Sequence, residues 1–242
     1  MLVIPSGEEL IIPPTLAYST LATQFDGSTE RVTLSTFPAI GTSDFTITAW
    51  TKVDTTGYAH PIIMGAGSLG AGEWMFRCTN VSGSNVQLAM YANSGGLNLS
   101  TPNIFSTAGD QWALMSVTRT AGVTQLWVNG VASGASNPGP ADDLNTAVTA
   151  ALGGLAAGGR HYKGLLDEIG FWDRGLTGPE LLEVYGSGYP SALSDHSAYA
   201  NTSYWWKMGE GDDATTIYDN KGSVDGTLVN MDAGNYVSDT PP

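Results

Sequence analysis

Residues 164–188, GLLDEIGFWDRGLTGPELLEVYGSG, constrain the fold more than any other stretch of the chain. Leu165, Asp167, Ile169 and Phe171 alternate with Leu166, Glu168, Gly170 and Trp172, the period-two pattern of a strand. Both sets contain apolar residues, so the strand is expected to be covered on both faces. Thr177 and Glu180 then have the spacing of a capping box, and Pro179 falls in the first turn, where a missing N–H costs nothing. Leu181, Val184 and Tyr185 make a one-sided apolar stripe, and Gly186 stops the helix. A single short helix at 177–186 in a strand-and-turn chain predicts a sandwich with one end plugged.

Elsewhere the pattern is that of strands. Phe45, Ile47 and Ala49 oppose Thr46, Thr48 and Trp50; Val86, Leu88 and Met90 oppose Gln87, Ala89 and Tyr91; Ala113, Met115 and Val117 oppose Leu114, Ser116 and Thr118. Asn129-Gly130 is the strongest short hairpin signal. With 31 Gly and 12 Pro and almost no other helical pattern, the fold class is all-β, antiparallel, with many turns.

Four segments also resemble one family in its own order: QFDGSTERV at 24–32, DFTITAWTK at 44–52, the span from Trp112 to the LWVNG ending at Gly130, and the strand–helix unit above. Together they resemble the laminin-G-like modules of the concanavalin-A-like lectin/glucanase superfamily over residues 23–188. That resemblance implies a two-sheet jelly-roll sandwich. In it, the 112–130 span corresponds to a strand pair closed by an Asn-Gly turn. Residues 204–231, YWWKMGEGDDATTIYDNKGSVDGTLVNM, are similar to the segment that precedes the Phe-Asp-Gly-Ser turn in such modules, yet here they follow the terminal helix. The chain therefore resembles a circularly permuted module, or one whose tail completes a neighbour's sheet. Three regions follow: an arm at 1–19, a sandwich at 20–188 and a strand-supplying extension at 189–242.

A net charge of −14, from 9 basic and 23 acidic residues, excludes a nucleic-acid partner, because no basic surface exists to neutralise phosphates. Cys78 is the sole cysteine, so no disulfide closes within the chain, and it reads as a small buried hydrophobe. The opening MLVIPSGEELIIPPT carries no basic residue and is broken by Pro5, Glu8 and Glu9, so it does not read as a signal core. No apolar run is long enough for membrane insertion.

Few residues point to chemistry. The glucanases of the superfamily carry Glu-x-Asp-x-x-Glu on one strand face, and nothing here matches. Asp167 and Glu168 are adjacent, which alternation sends to opposite faces; Glu73 stands alone; His60, His161 and His196 have no motif partners. The chain is therefore not expected to be an enzyme. The resemblance implies a structural Ca2+ at the sandwich rim with Asp26 and Asp167 as ligands, against the simpler reading of an Asp-Gly turn closed by its own side chain. The acidic run at 210–213 reads as a solvated loop. Trp74, Tyr91 and Asn93 are candidate carbohydrate-binding residues, with core packing as the simpler reading of each ring. Leu10, Ile11 and Ile12 of the proline-broken arm, and Trp205 and Trp206 of the tail, are candidate assembly residues.

These features, with a tail similar to those of phage structural proteins, lead to one functional expectation. The chain is a non-enzymatic virion surface protein, a capsid decoration or a tail or fibre component. It would act in a homo-oligomer or a capsid or tail lattice and bind a neutral glycan. The alternative is a free extracellular carbohydrate-binding module of an adhesin or polysaccharide-degrading system.

Overall fold

The computed structural model describes residues 18–56, 60–68, 71–82, 85–92, 96–105, 111–137, 143–144 and 149–242. Leu10, Ile11, Ile12 and Asn93 lie outside the described residues.

Among the described residues there are sixteen strands: β1 (Ala22–Asp26), β2 (Arg31–Leu34), β3 (Phe45–Val53), β4 (Ile62–Ser68), β5 (Ala71–Ser82), β6 (Asn85–Ala92), β7 (Asn98–Ser100), β8 (Trp112–Thr120), β9 (Val123–Val128), β10 (Val131–Ala132), β11 (Ala150–Leu152), β12 (Lys163–Trp172), β13 (Thr202–Trp206), β14 (Thr216–Ile217), β15 (Gly226–Val229) and β16 (Tyr236–Val237). They form two antiparallel sheets. One runs β10-β9-β8-β3-β12-β1-β16, with β13 also on β12; the other runs β14-β15-β2-β11-β4-β5-β6-β7. The main core lies between them and includes Phe25, Phe45, Trp74, Phe76, Met115, Phe171 and Trp206. This is the expected two-sheet sandwich with one short helix.

That helix, α1 (Gly178–Tyr185), has the predicted ends. Thr177 and Glu180 close a reciprocal capping box, and Gly186 takes a left-handed conformation at φ 57°. With the turns at 186–201, α1 covers the outer face of the first sheet over Trp50, Leu114, Trp172 and Trp205. The sheet is thus buried on both sides, which explains why its strands carry apolar residues in both alternating sets. The Asn129-Gly130 turn joins β9 to β10; the β8–β9 pair is closed instead by Ala121-Gly122, with φ of 49° and 81°. That corrects the expected pairing of the Asn-Gly turn. Alanine and glycine both occupy this left-handed turn, and the Ala121 N–H donates to the Asp44 carboxylate at 2.9 Å.

The tail belongs to both sheets of its own chain. β13 pairs with β12, β15 with β2 and β16 with β1. Trp206 is fully buried in the main core and Trp205 is 4% exposed beneath the helix layer. Both indoles, expected as assembly residues, thus pack within this chain, because β13 carries one ring to each face of the sheet.

Candidate functional site

β12 departs from its expected alternation. Asp167 pairs with Trp50 but Gly170 pairs with Thr48, so Glu168 and Ile169 together oppose one residue of β3. This is a β-bulge, and Glu168 sits in it at φ 44°. The extra residue resets the faces: Leu166 and Ile169, three apart, both enter the main core. The bulge also marks a seam. Upstream of it β1 pairs with residues 163–166; downstream β13 pairs with residues 169–172 along the same edge.

Asp167, Glu168 and Glu210 meet at this seam, each offering one carboxylate oxygen, all within 4.8 Å of one another. Asp167 is fully buried and Glu168 is 3% exposed. Asp167 accepts from the Ser19 hydroxyl at 2.6 Å and from the Glu168 amide at 2.8 Å. One Glu168 oxygen, Oε2, accepts the Trp205 indole N–H at 2.6 Å. Glu210 accepts from the Thr20 and Leu21 amides. Glu168 Oε1, Glu210 Oε2 and the Tyr18 hydroxyl are buried and have no hydrogen-bond partner. Burial, reinforced by the Glu168 charge, pushes the Asp167 carboxyl well above the carboxylate range. Burial likewise pushes Glu168 up to about 8, with the Lys207 charge opposing it. Asp212, also desolvated, rises to about 6.

The carboxylate that joins Asp167 is therefore Glu210, from a run expected to be solvated, and not Asp26. The two aspartates are held apart by the β1–β12 register, in which Asp26 faces Lys163 and Thr23 faces Leu166. At about 3.3 Å per residue, four steps separate the pairs that hold them. Asp26 instead accepts from the Ser28 amide at 2.7 Å and from the Ser28 hydroxyl, the simple turn reading. Adjacent residues such as Asp167 and Glu168 were expected on opposite faces; the bulge is what brings them together.

The separation of these carboxylates resembles that of a retaining glycosidase pair, about 5 Å. Their burial removes that reading, because a glycosidic oxygen has no route to groups 0% and 3% exposed. The histidines are dispersed. His60 contacts Thr79 at 2.7 Å, His161 accepts from the Gly159 amide at 2.9 Å, and His196 contacts the Glu180 carbonyl at 2.9 Å.

The candidate sugar residues divide. Trp74 is 2% exposed inside the main core, so its ring is packing and not a sugar platform. It points inward because the register of β5 on β6 sets Trp74 and Phe76 on the inner face and Met75 on the outer. Tyr91 is half-buried on the outer face beside Ile62, Met75 and Leu155, with the Arg77 guanidinium 5.4 Å from its ring centre.

An aromatic cleft of about 250 Å³ was not legible in the sequence. Phe37, Phe171 and Tyr204 line it, with Asp44, Asp173 and Ser203 among its walls. Phe37 meets Phe171 at 5.3 Å and Tyr204 at 5.4 Å between ring centres. The three rings come from a loop, β12 and the tail, so no local spacing announces them. A second cleft of about 450 Å³ holds Lys52, Lys163, Asp54 and Asp239. Both of its lysines are already paired, Lys52 with Asp239 at 2.7 Å and Lys163 with Asp54 at 3.1 Å.

Comparison with known proteins fits this architecture. A Bacteroides ovatus ATCC 8483 protein named for carbohydrate binding superposes with a TM-score of 0.65 at 18% identity, over 93% of this chain and 61% of its own. The chain thus spans about three fifths of that relative. A SAP-like pentraxin from Limulus polyphemus gives 0.54 at 18% identity, over 69% and 82%. The CBM40 of the Ruminococcus gnavus IT-sialidase, solved with α2,3 sialyllactose, gives 0.53 at 17% identity, over 69% and 100%. No curated protein matches the sequence. At these identities the likeness speaks for the fold. A family profile matches residues 26–182, well over half of the chain, and with the two-sheet topology it makes this protein a member of the concanavalin A-like lectin/glucanases superfamily.

Proposed function

We propose that the protein is a non-enzymatic lectin-like sandwich that binds a neutral glycan in the cleft where the half-buried Phe37 and Tyr204 rings stand over the core ring of Phe171. The observation that carries this reading is the cleft itself: aromatic faces beside carboxylate and hydroxyl oxygens. Ring faces suit the apolar faces of a pyranose, and oxygens such as those of Asp173 and Ser203 suit its hydroxyls. Burial of Asp167 and Glu168 supports the absence of hydrolysis. A glycan array with the full chain, followed by calorimetry, tests it: Phe37→Ala should abolish binding of any hit while melting stays cooperative. Hydrolysis of a β-glucan with turnover would overturn the non-enzymatic reading.

We place this sandwich on a virion surface, as a capsid decoration or a tail or fibre component. The acidic charge and the single cysteine, buried where desolvation keeps its thiol protonated, support that role without demanding it. Detection in purified particles tests it, and deletion of residues 1–14 tests whether the arm is the anchor to a lattice or to a second copy. Full loading of the deleted protein would rule the arm out. A free extracellular carbohydrate-binding module is the second reading, favoured by the CBM40 and Bacteroides likenesses. No helix among the described residues is long and apolar enough to cross a membrane.

A further inference from the structure

From the cleft on the outer face of the first sheet we infer a second binding site, for a carboxylate-bearing sugar, whose carboxylate position Asp239 of the tail occupies. Directly paired residues share a face, so the strand register sets Gln24, Leu165, Lys52 and Trp112 in one row across β1, β12, β3 and β8. Asp26 and Lys163 stand opposite each other two residues along. This face lies beside the part covered by the α1 layer and carries the cleft of about 450 Å³, a size usual for a small-molecule site. Two of the chain's nine basic residues, Lys52 and Lys163, thus line one cleft.

Asp239 shows what the site takes. Its Oδ2 accepts from the Lys52 ammonium at 2.7 Å and its Oδ1 from the Trp112 indole N–H at 3.2 Å. Two donors from neighbouring strands thus grip the two oxygens of one carboxylate, and the β3–β8 pairing fixes their backbones before anything binds. The acid is the replaceable half of the pair: the Lys52 side chain is 18% exposed, that of Asp239 51%. An exposed ion pair holds little free energy, so a ligand carboxylate exchanges with it at small cost. Pro241 is buried, so the exchange requires only that the Asp239 side chain swing outward. Lys163 is committed instead to Asp54, which also accepts the amide and hydroxyl of Thr56. The cleft is larger than a bare carboxylate fills, and Gln24 and Asp26 in its wall offer an amide and a carboxylate to hydroxyls. A sugar acid supplies both parts, its carboxylate for Lys52 and Trp112 and its hydroxyls for Gln24 and Asp26.

Titration of the full chain with galacturonate, glucuronate, methyl galactoside and acetate tests the site. Binding is read from the Trp112 indole N–H signal in NMR, assigned through Trp112→Phe, which reports this cleft and not the aromatic one. Asp239→Ala should bind a sugar acid about three- to fivefold tighter than wild type, because the internal competitor is gone. Lys52→Met should lose the response, with or without Asp239→Ala. Trp112→Phe, followed by calorimetry, should bind about fivefold more weakly, since it keeps a ring but lacks the N–H. Methyl galactoside and acetate should each bind about tenfold more weakly than the sugar acids. A neutral galactoside as tight as galacturonate would remove the carboxylate site, and acetate as tight would remove the sugar. If neither sugar acid at millimolar concentration moves the Trp112 signal of Asp239→Ala, Asp239 is a structural clamp alone.

Discussion

Asp219 shows how much one side chain can hold. Its Oδ1 accepts from the amides of Trp205, Lys221 and Gly222, and its Oδ2 from that of Val224, all at 2.9–3.0 Å. One carboxylate accepting four amides at once fixes the turn between β14 and β15 and ties it to the backbone of β13 at Trp205. Asp219→Ala should cost about 2–4 kcal/mol in chemical denaturation, since several N–H groups lose a charged partner together; a loss under 0.5 kcal/mol would show that water replaces it. Trp206→Ala should cost about 3–5 kcal/mol, the usual penalty for emptying a buried aromatic site. Gly130, at φ 75°, has its missing Cβ 2.7 Å from Leu182 of α1, so Gly130→Ala should destabilise through both backbone strain and that clash. Thermal melts of this variant should fall below wild type, because Gly130 is buried beneath α1.

At the scale of elements, α1 is held at its start by charge as well as by its cap. The Arg174 guanidinium, hydrogen-bonded to Glu180, is the main reason that the Glu180 carboxyl falls to about 2 from an ordinary 4.5. A depressed acid stabilises the fold above its unfolded value and loses that contribution as pH falls from about 4.5 to about 2. Acid titration of stability should therefore flatten over that window in Arg174→Met. Thr177→Ala should cost about 1 kcal/mol. This helix was fully legible in the sequence because capping and periodicity are local. The β12 bulge was not: nothing in LLDEIGF distinguishes a regular strand from one with an extra residue, since the bulge answers to β1 ending and β13 beginning on the same edge. Strict alternation sends Asp167 and Glu168 to opposite faces, and nothing local links either to Glu210, 42 residues beyond Glu168. The aromatic cleft was hidden for the same reason, as its rings converge only once the tail is in place.

For the whole molecule, residues 202–237 are structural members of both sheets. Truncation after Gly188 should uncover the β12, β1 and β2 edges and give aggregated protein. A soluble monomer melting like wild type would refute that. The pairing of β1 with β16, Ala22 opposite Val237 and Thr23 opposite Tyr236, carries a mechanical consequence. The two strands run antiparallel with their outer ends side by side, so tension applied to the ends of the chain peels their hydrogen bonds one after another and does not shear them together. A sandwich anchored at one end and tugged at the other would shed β16 first, at low force, and spend its resistance only when the strain reached the clasp of Glu210 against Ser19, Thr20 and Leu21.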